Sequence, residues 1–139
     1  MKIENIDHIG IYVRDLKKAT KFFADLLGTE FTEIGEFKEA DVRSAMDPSG
    51  IELFEPLTPD GPAAKAIERR GEGLALLSLK VPNLEEGIAA MESRGIRLTV
   101  RVEHPNSRMA IFHPKDTYGV MIELVEYEPE HPIVAVREE

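Results

Sequence analysis

Two stretches of the chain alternate apolar and polar positions with a period of two, and each runs directly into a stretch of helical period. In Ile6-Asp7-His8-Ile9-Gly10-Ile11-Tyr12-Val13, the residues Ile9, Ile11 and Val13 share one strand face; between Leu74 and Val81, the residues Leu77, Leu79 and Val81 share the equivalent face. Asp15 and Asn83 follow, residue types whose side chains accept from the free N–H groups of a first helical turn. The apolar stripes behind them are Leu16, Ala19, Phe22, Phe23 and Leu26, closed by Gly28, and Leu84, Ile88 and Met91, closed by Gly95.

The last strands repeat as well: Ile51-Glu52-Leu53-Phe54-Glu55 reads like Ile122-Glu123-Leu124-Val125-Glu126. His8 and Leu76 stand 68 positions apart and Glu52 and Glu123 stand 71 apart, so the second copy carries about three extra residues. Each half has room for two more strands, near residues 30–37 and 39–46 and near 97–101 and 108–113. The pattern is strand, helix, three strands, written twice. It predicts a single α+β domain over residues 1–139. A first βαβββ module covers about 3–57 and a connecting segment 58–72, with a short helix after Pro62. A second module covers about 73–126, and an acidic tail 127–139.

At 139 residues, one domain of this kind buries roughly two-thirds of its unfolded surface without outside help. No apolar run reaches the roughly 20 residues of a membrane span, and Met1 to Asn5 lack a basic-then-apolar leader. A cytoplasmic protein is the expectation. The formal charge of −9 disfavours nucleic acid and anionic membrane surfaces, but leaves room for a small anion in a locally basic pocket. The chain has no cysteine, so any metal would rest on His, carboxylate or water.

Parity along the strands gathers such groups. His8 lies opposite in face to Ile9 and Ile11, Glu52 opposite to Ile51 and Leu53, and Glu123 opposite to Ile122 and Leu124. In a duplicated sheet whose apolar faces pack on helices, this imidazole and these two carboxylates converge on the other, concave face. A single strand histidine is commonly structural and a strand glutamate commonly solvated; the equivalent positions of Glu52 and Glu123 in the two halves favour a joint site.

Five strings, Asp7-His8-Ile9-Gly10-Ile11, Glu52-Leu53-Phe54-Glu55-Pro56-Leu57, Arg70-Gly71-Glu72-Gly73-Leu74, His113-Pro114-Lys115-Asp116 and Gly119-Val120-Met121-Ile122-Glu123-Leu124, run in collinear order across residues 3–126. Together they resemble the methylmalonyl-CoA epimerase family of the vicinal-oxygen-chelate superfamily, which also includes glyoxalase I, extradiol dioxygenases and antibiotic-resistance proteins. The resemblance implies a vicinal-oxygen-chelate fold, two βαβββ modules forming a cleft-shaped mixed sheet, with a divalent metal (Co, Mn, Ni, Zn or Mg) held by one donor from each of four strands. His8, Glu52 and Glu123 match three donors. Where the family carries its second histidine this chain has Ala75-Leu76, so one imidazole is missing.

By the same resemblance, the activity is metal-assisted 1,1-proton transfer at the carbon alpha to a thioester, through an enolate, on an acyl-CoA. The family's base sits in a Glu-x-Gly-Val setting; Glu39-Ala40-Asp41-Val42 matches it with Asp in the glycine place, making Glu39 the candidate base and Glu36 the fallback. Glu123 is the candidate second acid/base. Arg43, Arg70, Arg101, Arg108 and Lys115 are available for coenzyme A phosphates, but their spacing forms no phosphate loop. His113 is read as a loop residue with a structural or substrate-side role, His104 and His131 as surface. Two alternatives stand beside the epimerase reading: a glyoxalase-like lyase or isomerase of the superfamily, which uses the same enolate logic, or a non-catalytic binding protein of the same fold, the outcome if Leu76 has abolished metal binding. A homodimer is the expected assembly.

Overall fold

The computed structural model describes residues 1–128. The remainder of the expected tail, with His131, lies outside the described residues, while Tyr127, its first residue, belongs to the last strand. In chain order the elements are β1 (Asn5–Tyr12), α1 (Leu16–Leu27), β2 (Gly35–Phe37), β3 (Val42–Met46), β4 (Ile51–Pro56), α2 (Pro62–Arg70), β5 (Gly73–Lys80), α3 (Leu84–Ser93), β6 (Leu98–His104), β7 (Ser107–Phe112) and β8 (Met121–Tyr127). The eight described strands form one sheet in the order β2-β3-β4-β1-β5-β8-β7-β6. β1 pairs parallel with β4, β5 pairs parallel with β8, and the modules join through the antiparallel pair β1–β5.

α1 and α3 begin as their caps dictate. The Asp15 side chain accepts from the Lys18 N–H at 3.1 Å, and that of Asn83 from the Glu86 N–H at 3.0 Å. A second carboxylate serves each helix start: Glu55 accepts from the Leu16 N–H at 3.3 Å and Glu126 from the Leu84 N–H at 2.7 Å. Negative charge there complements the helix dipole. Gly28 ends α1 in the left-handed conformation, φ 64°. α1 packs its Leu16, Ala19 and Phe23 on Ile11, Val13, Ile51 and Leu53, while α3 covers Leu124, Ala110 and Phe112 with Leu84, Ile88 and Met91.

The intermediate strands differ from expectation. Residues 30–34 form no ladder: Phe31 packs into the α1 core, and Thr32 reaches Met46 through one backbone bond and one side-chain bond. Residues 38–40 form a 3₁₀ turn rather than the start of a strand, because Asp41 takes φ 57° and breaks the extended run. Asp is among the few residues that tolerate this region. Its carboxylate accepts from the Thr58 hydroxyl at 2.8 Å, tying the turn to the segment before α2. β6 runs on to His104, and β7 starts at Ser107.

The sheet curls until its edges approach. The rings of Phe37, on β2, and His104, on β6, meet edge to face with centroids 6.3 Å apart, and Met46 packs with Val102, Met109 and Val125 across the hollow. His104 is thus half-buried against Phe37 rather than a surface residue. α2 lies on the hollow side, its Ala63 packed with Val42, Phe54 and Leu76.

Candidate functional site

Register fixes what the hollow contains. His8 pairs with Ser78 and Gly10 with Leu76 across β1–β5; Gly10 lies beside Glu52 and Ser78 beside Glu123. The pseudo-two-fold relation between the modules therefore maps His8 onto Leu76, Gly10 onto Ser78 and Glu52 onto Glu123. Gly10 has no side chain for a steric reason: a Cβ there would lie 2.5 Å from the Phe54 ring and 2.9 Å from the Leu76 Cβ.

The three residues expected to converge do so. His8 (2 % exposed), Glu52 (5 %) and Glu123 (2 %) are all buried on the concave face. His8 Nε2 stands 3.1 Å from Glu123 Oε1 and 3.5 Å from Glu52 Oε1. Three further residues, not singled out from the sequence, complete the group. His8 Nδ1 lies 2.6 Å from Asp7 Oδ2, the Tyr127 hydroxyl donates to Asp7 Oδ1 at 2.5 Å, and the Ser78 hydroxyl donates to Glu123 Oε1 at 2.7 Å. Asp7 should face away from its chain neighbour His8, but a bulge between Ile6 and His8 leaves it outside the ladder and turns it to the same side. Burial, then the bond to Asp7, pushes the Tyr127 phenol above its ordinary value.

Both ring nitrogens of His8 thus face carboxylate oxygens. An imidazole lone pair set 3.1 Å from a carboxylate is repulsive, so a proton or a cation lies between Nε2 and the two glutamates. The donor types suit a divalent ion. Their separations also match those of ligands on one ion, about 3.0 Å at right angles and about 3.4 Å at the tetrahedral angle for bonds near 2.1 Å. As placed, however, the side chains pair with one another, and among the described residues no three His, Asp or Glu groups are arranged around an ion position. Leu76 (6 % exposed) stands at the repeat partner of His8, in an apolar wall with Val42, Phe54 and Ala63.

These groups open into a cavity of about 400 Å³ whose wall includes Glu39, Glu52, Glu123, Arg69 and His113 among mainly apolar residues. Glu39 is carried there by the 3₁₀ turn. Glu36 is not on that wall; it pairs at 3.5 Å with Arg43, which also reaches Glu55. His113 both lines the cavity and orders its own loop, Nδ1 accepting from the Lys115 N–H at 3.1 Å. Among the candidate phosphate binders, Arg101 is held by Glu85 and Glu103, Arg108 by Glu126 at 2.7 Å, and Arg70 donates to the Gly119 carbonyl at 2.7 Å. Arg69 was not anticipated, because only the placement of α2 brings it to the wall.

Two βαβββ modules joined across β1 and β5, their sheet curled around one cleft, constitute the vicinal-oxygen-chelate fold. The family pattern of the Glyoxalase/Bleomycin resistance protein/Dioxygenase superfamily matches residues 7–112, and the chain belongs to that superfamily. It is 32% identical over 130 residues to the uncharacterised protein YqjC of Bacillus subtilis (strain 168), covering 89% of this chain and 93% of the relative. A crystal structure of methylmalonyl-CoA epimerase from Mycobacterium tuberculosis superposes with a TM-score of 0.79 at 32% identity, over 92% of this chain and 91% of that one. A Streptomyces coelicolor methylmalonyl-CoA epimerase variant in complex with 2-nitronate-propionyl-CoA gives 0.80 at 28% identity, over 91% and 99%.

Proposed function

We propose that the chain is an epimerase-like enzyme that moves a proton from one face to the other of the carbon alpha to an acyl-CoA thioester, with methylmalonyl-CoA as the substrate to test. The observation that carries the reading is the placement of Glu39 on the wall of the cavity that also holds Glu52 and Glu123. Two carboxylates brought to one cavity by separate modules can address the two faces of one carbon.

Glu39, on a solvent-reaching turn, accepts the alpha proton. The C–H electron pair moves into the thioester carbonyl, giving an enolate. Glu123, entering the cycle in its protonated form, gives its proton to the opposite face, and the reverse passage, with Glu123 accepting and Glu39 donating, restores both groups. Asp7 and Tyr127 fix the His8 ring, and Ser78 fixes Glu123, so the groups that meet the developing charge need no reorganisation. Apolar neighbours such as Phe54, Leu76 and Met121 keep water from the carbanion. The relative's ligand 2-nitronate-propionyl-CoA carries a planar delocalised anion of the kind an enolate is, which supports this chemistry.

A divalent ion would be held by His8, Glu52 and Glu123 and would act as a Lewis acid on the enolate oxygens. Leu76 favours a second reading, a binding protein that keeps the cleft without the chemistry. A homodimer in the cytoplasm belongs to the first proposal. Among the described residues, no helix is long and apolar enough to cross a membrane.

The test is deuterium wash-in at the alpha carbon of methylmalonyl-CoA in D₂O. Wild type exchanges, and Glu39→Gln loses between about a hundredfold and ten-thousandfold, the worth of a positioned base. Exchange untouched in Glu39→Gln removes Glu39 from the mechanism; none in wild type leaves the binding protein. Metal content by mass spectrometry on wild type, His8→Ala and Glu123→Ala tests the ion separately, and metal retained in both variants would place it elsewhere.

A further inference from the structure

The cavity is acidic: Glu39, Glu52 and Glu123 line it, and behind them stands Asp7. Any anionic ligand entering it is repelled unless a fixed positive charge offsets the carboxylates. Among the described lining residues, Arg69 is the one side chain that is always protonated.

Among the described residues Arg69 is also uncommitted. Arg14, Arg43, Arg97, Arg101 and Arg108 each hold a carboxylate, and Arg70 holds a carbonyl. No described carboxylate lies within ion-pair distance of Arg69, although the chain carries 26 acidic residues against 17 basic. A guanidinium with no carboxylate partner among the described residues, lining a cavity on so acidic a protein, is arranged for something that arrives.

Its position lies where two hollows meet. A second hollow of about 140 Å³, walled by Arg70, Gly71, Glu72, Gly73 and Gly119, shares Tyr12, Ala66, Arg69, Pro114 and Met121 with the main cavity and adjoins it as a vestibule. Arg69 therefore stands at the threshold. Its charge is felt at the Tyr12 phenol, which burial raises and the Arg69 guanidinium draws the other way.

We propose that Arg69 is the anion-docking residue of the cleft, taking an oxyanion group of the ligand at the junction of vestibule and cavity and fixing how deep the ligand seats. This deepens the acyl-CoA reading and rests on it only for the identity of the ligand. The oxyanion is a free carboxylate on the acyl group or the diphosphate of the coenzyme, and both suit a guanidinium fork.

The test follows the Arg69 Nε–H signal in ¹⁵N-labelled full-length protein, assigned from its loss in Arg69→Ala, during separate titrations with methylmalonate and inorganic pyrophosphate. A saturable shift with either anion is expected, and the anion that produces it names the source. Calorimetry should show binding weakened about tenfold or more in Arg69→Ala, the worth of a charge-assisted hydrogen bond. Arg69→Lys should recover part of this, and the exposed Arg94→Ala should bind as wild type. A signal that neither anion moves, or equal affinity in Arg69→Ala, overturns the proposal. Methylmalonyl-CoA titrated into the same variants separates the two readings. Anion binding without acyl-CoA binding keeps Arg69 and removes the enzyme; equal acyl-CoA binding in wild type and Arg69→Ala does the reverse.

Discussion

Leu76→His restores the imidazole that the pseudo-two-fold relation sets opposite His8, and its cost follows from where Leu76 sits. The side chain is 6 % exposed and packs with Val42, Phe54 and Ala63. Burying a leucine is worth about 2 kcal/mol, part of which an imidazole ring of similar size retains. Its N–H, facing those apolar neighbours, forfeits a further 1–3 kcal/mol or so of hydrogen bonding. The variant should therefore be about 2–4 kcal/mol less stable than wild type in metal-free urea unfolding. If His8, Glu52 and Glu123 form a donor set, a fourth donor raises its affinity. Cobalt or manganese at one hundred times the dissociation constant then returns about 2.7 kcal/mol to the variant. Two results would refute the reasoning: a metal-free variant within about 0.5 kcal/mol of wild type, the range of an inconsequential surface change, or an equal metal-induced gain in wild type and variant. The first would deny that Leu76 is core, the second that position 76 belongs to the donor set.

Gly10→Ala pushes a methyl group into the Phe54 ring and the Leu76 Cβ; overpacking of this kind costs about 1–3 kcal/mol, read as a lower urea midpoint at unchanged slope. Asp116 clamps the loop after β7 through Arg97, whose side-chain bonds at 2.8 and 3.1 Å hold the Asp116 carboxyl down to about 2. A depressed carboxyl stabilises the fold above its unfolded value and ceases to do so as pH falls through the folded one. Asp116→Asn should thus melt below wild type at neutral pH, with the gap closing between about pH 4 and pH 2; a gap constant over that window would show that the charge is not what the clamp uses. Exposed Phe22 and Leu26, four apart on α1, offer an apolar face to the proposed homodimer. Sedimentation velocity should find Leu26→Glu monomeric where wild type is dimeric, and a wild-type monomer would dispose of the dimer.

Local signals carried much of this architecture. The repeated Glu-x-x-Glu string is instructive, because its two carboxylates lie three apart on a strand and must face opposite sides. Glu52 and Glu123 turn inward to His8, while Glu55 and Glu126 turn outward to the helix starts. Parity gave the first pair; the helix-side role of the second needed the helices in place. Asp7 escaped because a bulge overrides parity, and Tyr127 because its partner lies 120 positions away. The strand expected at 39–46 began late because Asp41 takes a backbone conformation that alternation does not encode. Arg69 carries no pattern at all, since a helical arginine gains meaning only from what its helix faces.

The bond from Tyr127 to Asp7 joins the end of the last strand to the first. β1 lies beside β4 and β5, and its histidine meets a glutamate on β8, the last described strand. On the ribosome, then, the first site residue emerges long before its last partner. Such long-range pairing is slow to form, and until β8 is made His8 and Glu52 lack the carboxylate that completes their group. A half-made chain displays the open flank of β5 and an incomplete cleft, so the hazard of edge pairing with a stranger persists until β8 is made. The site and the protection of that flank arrive with the same seven residues of β8.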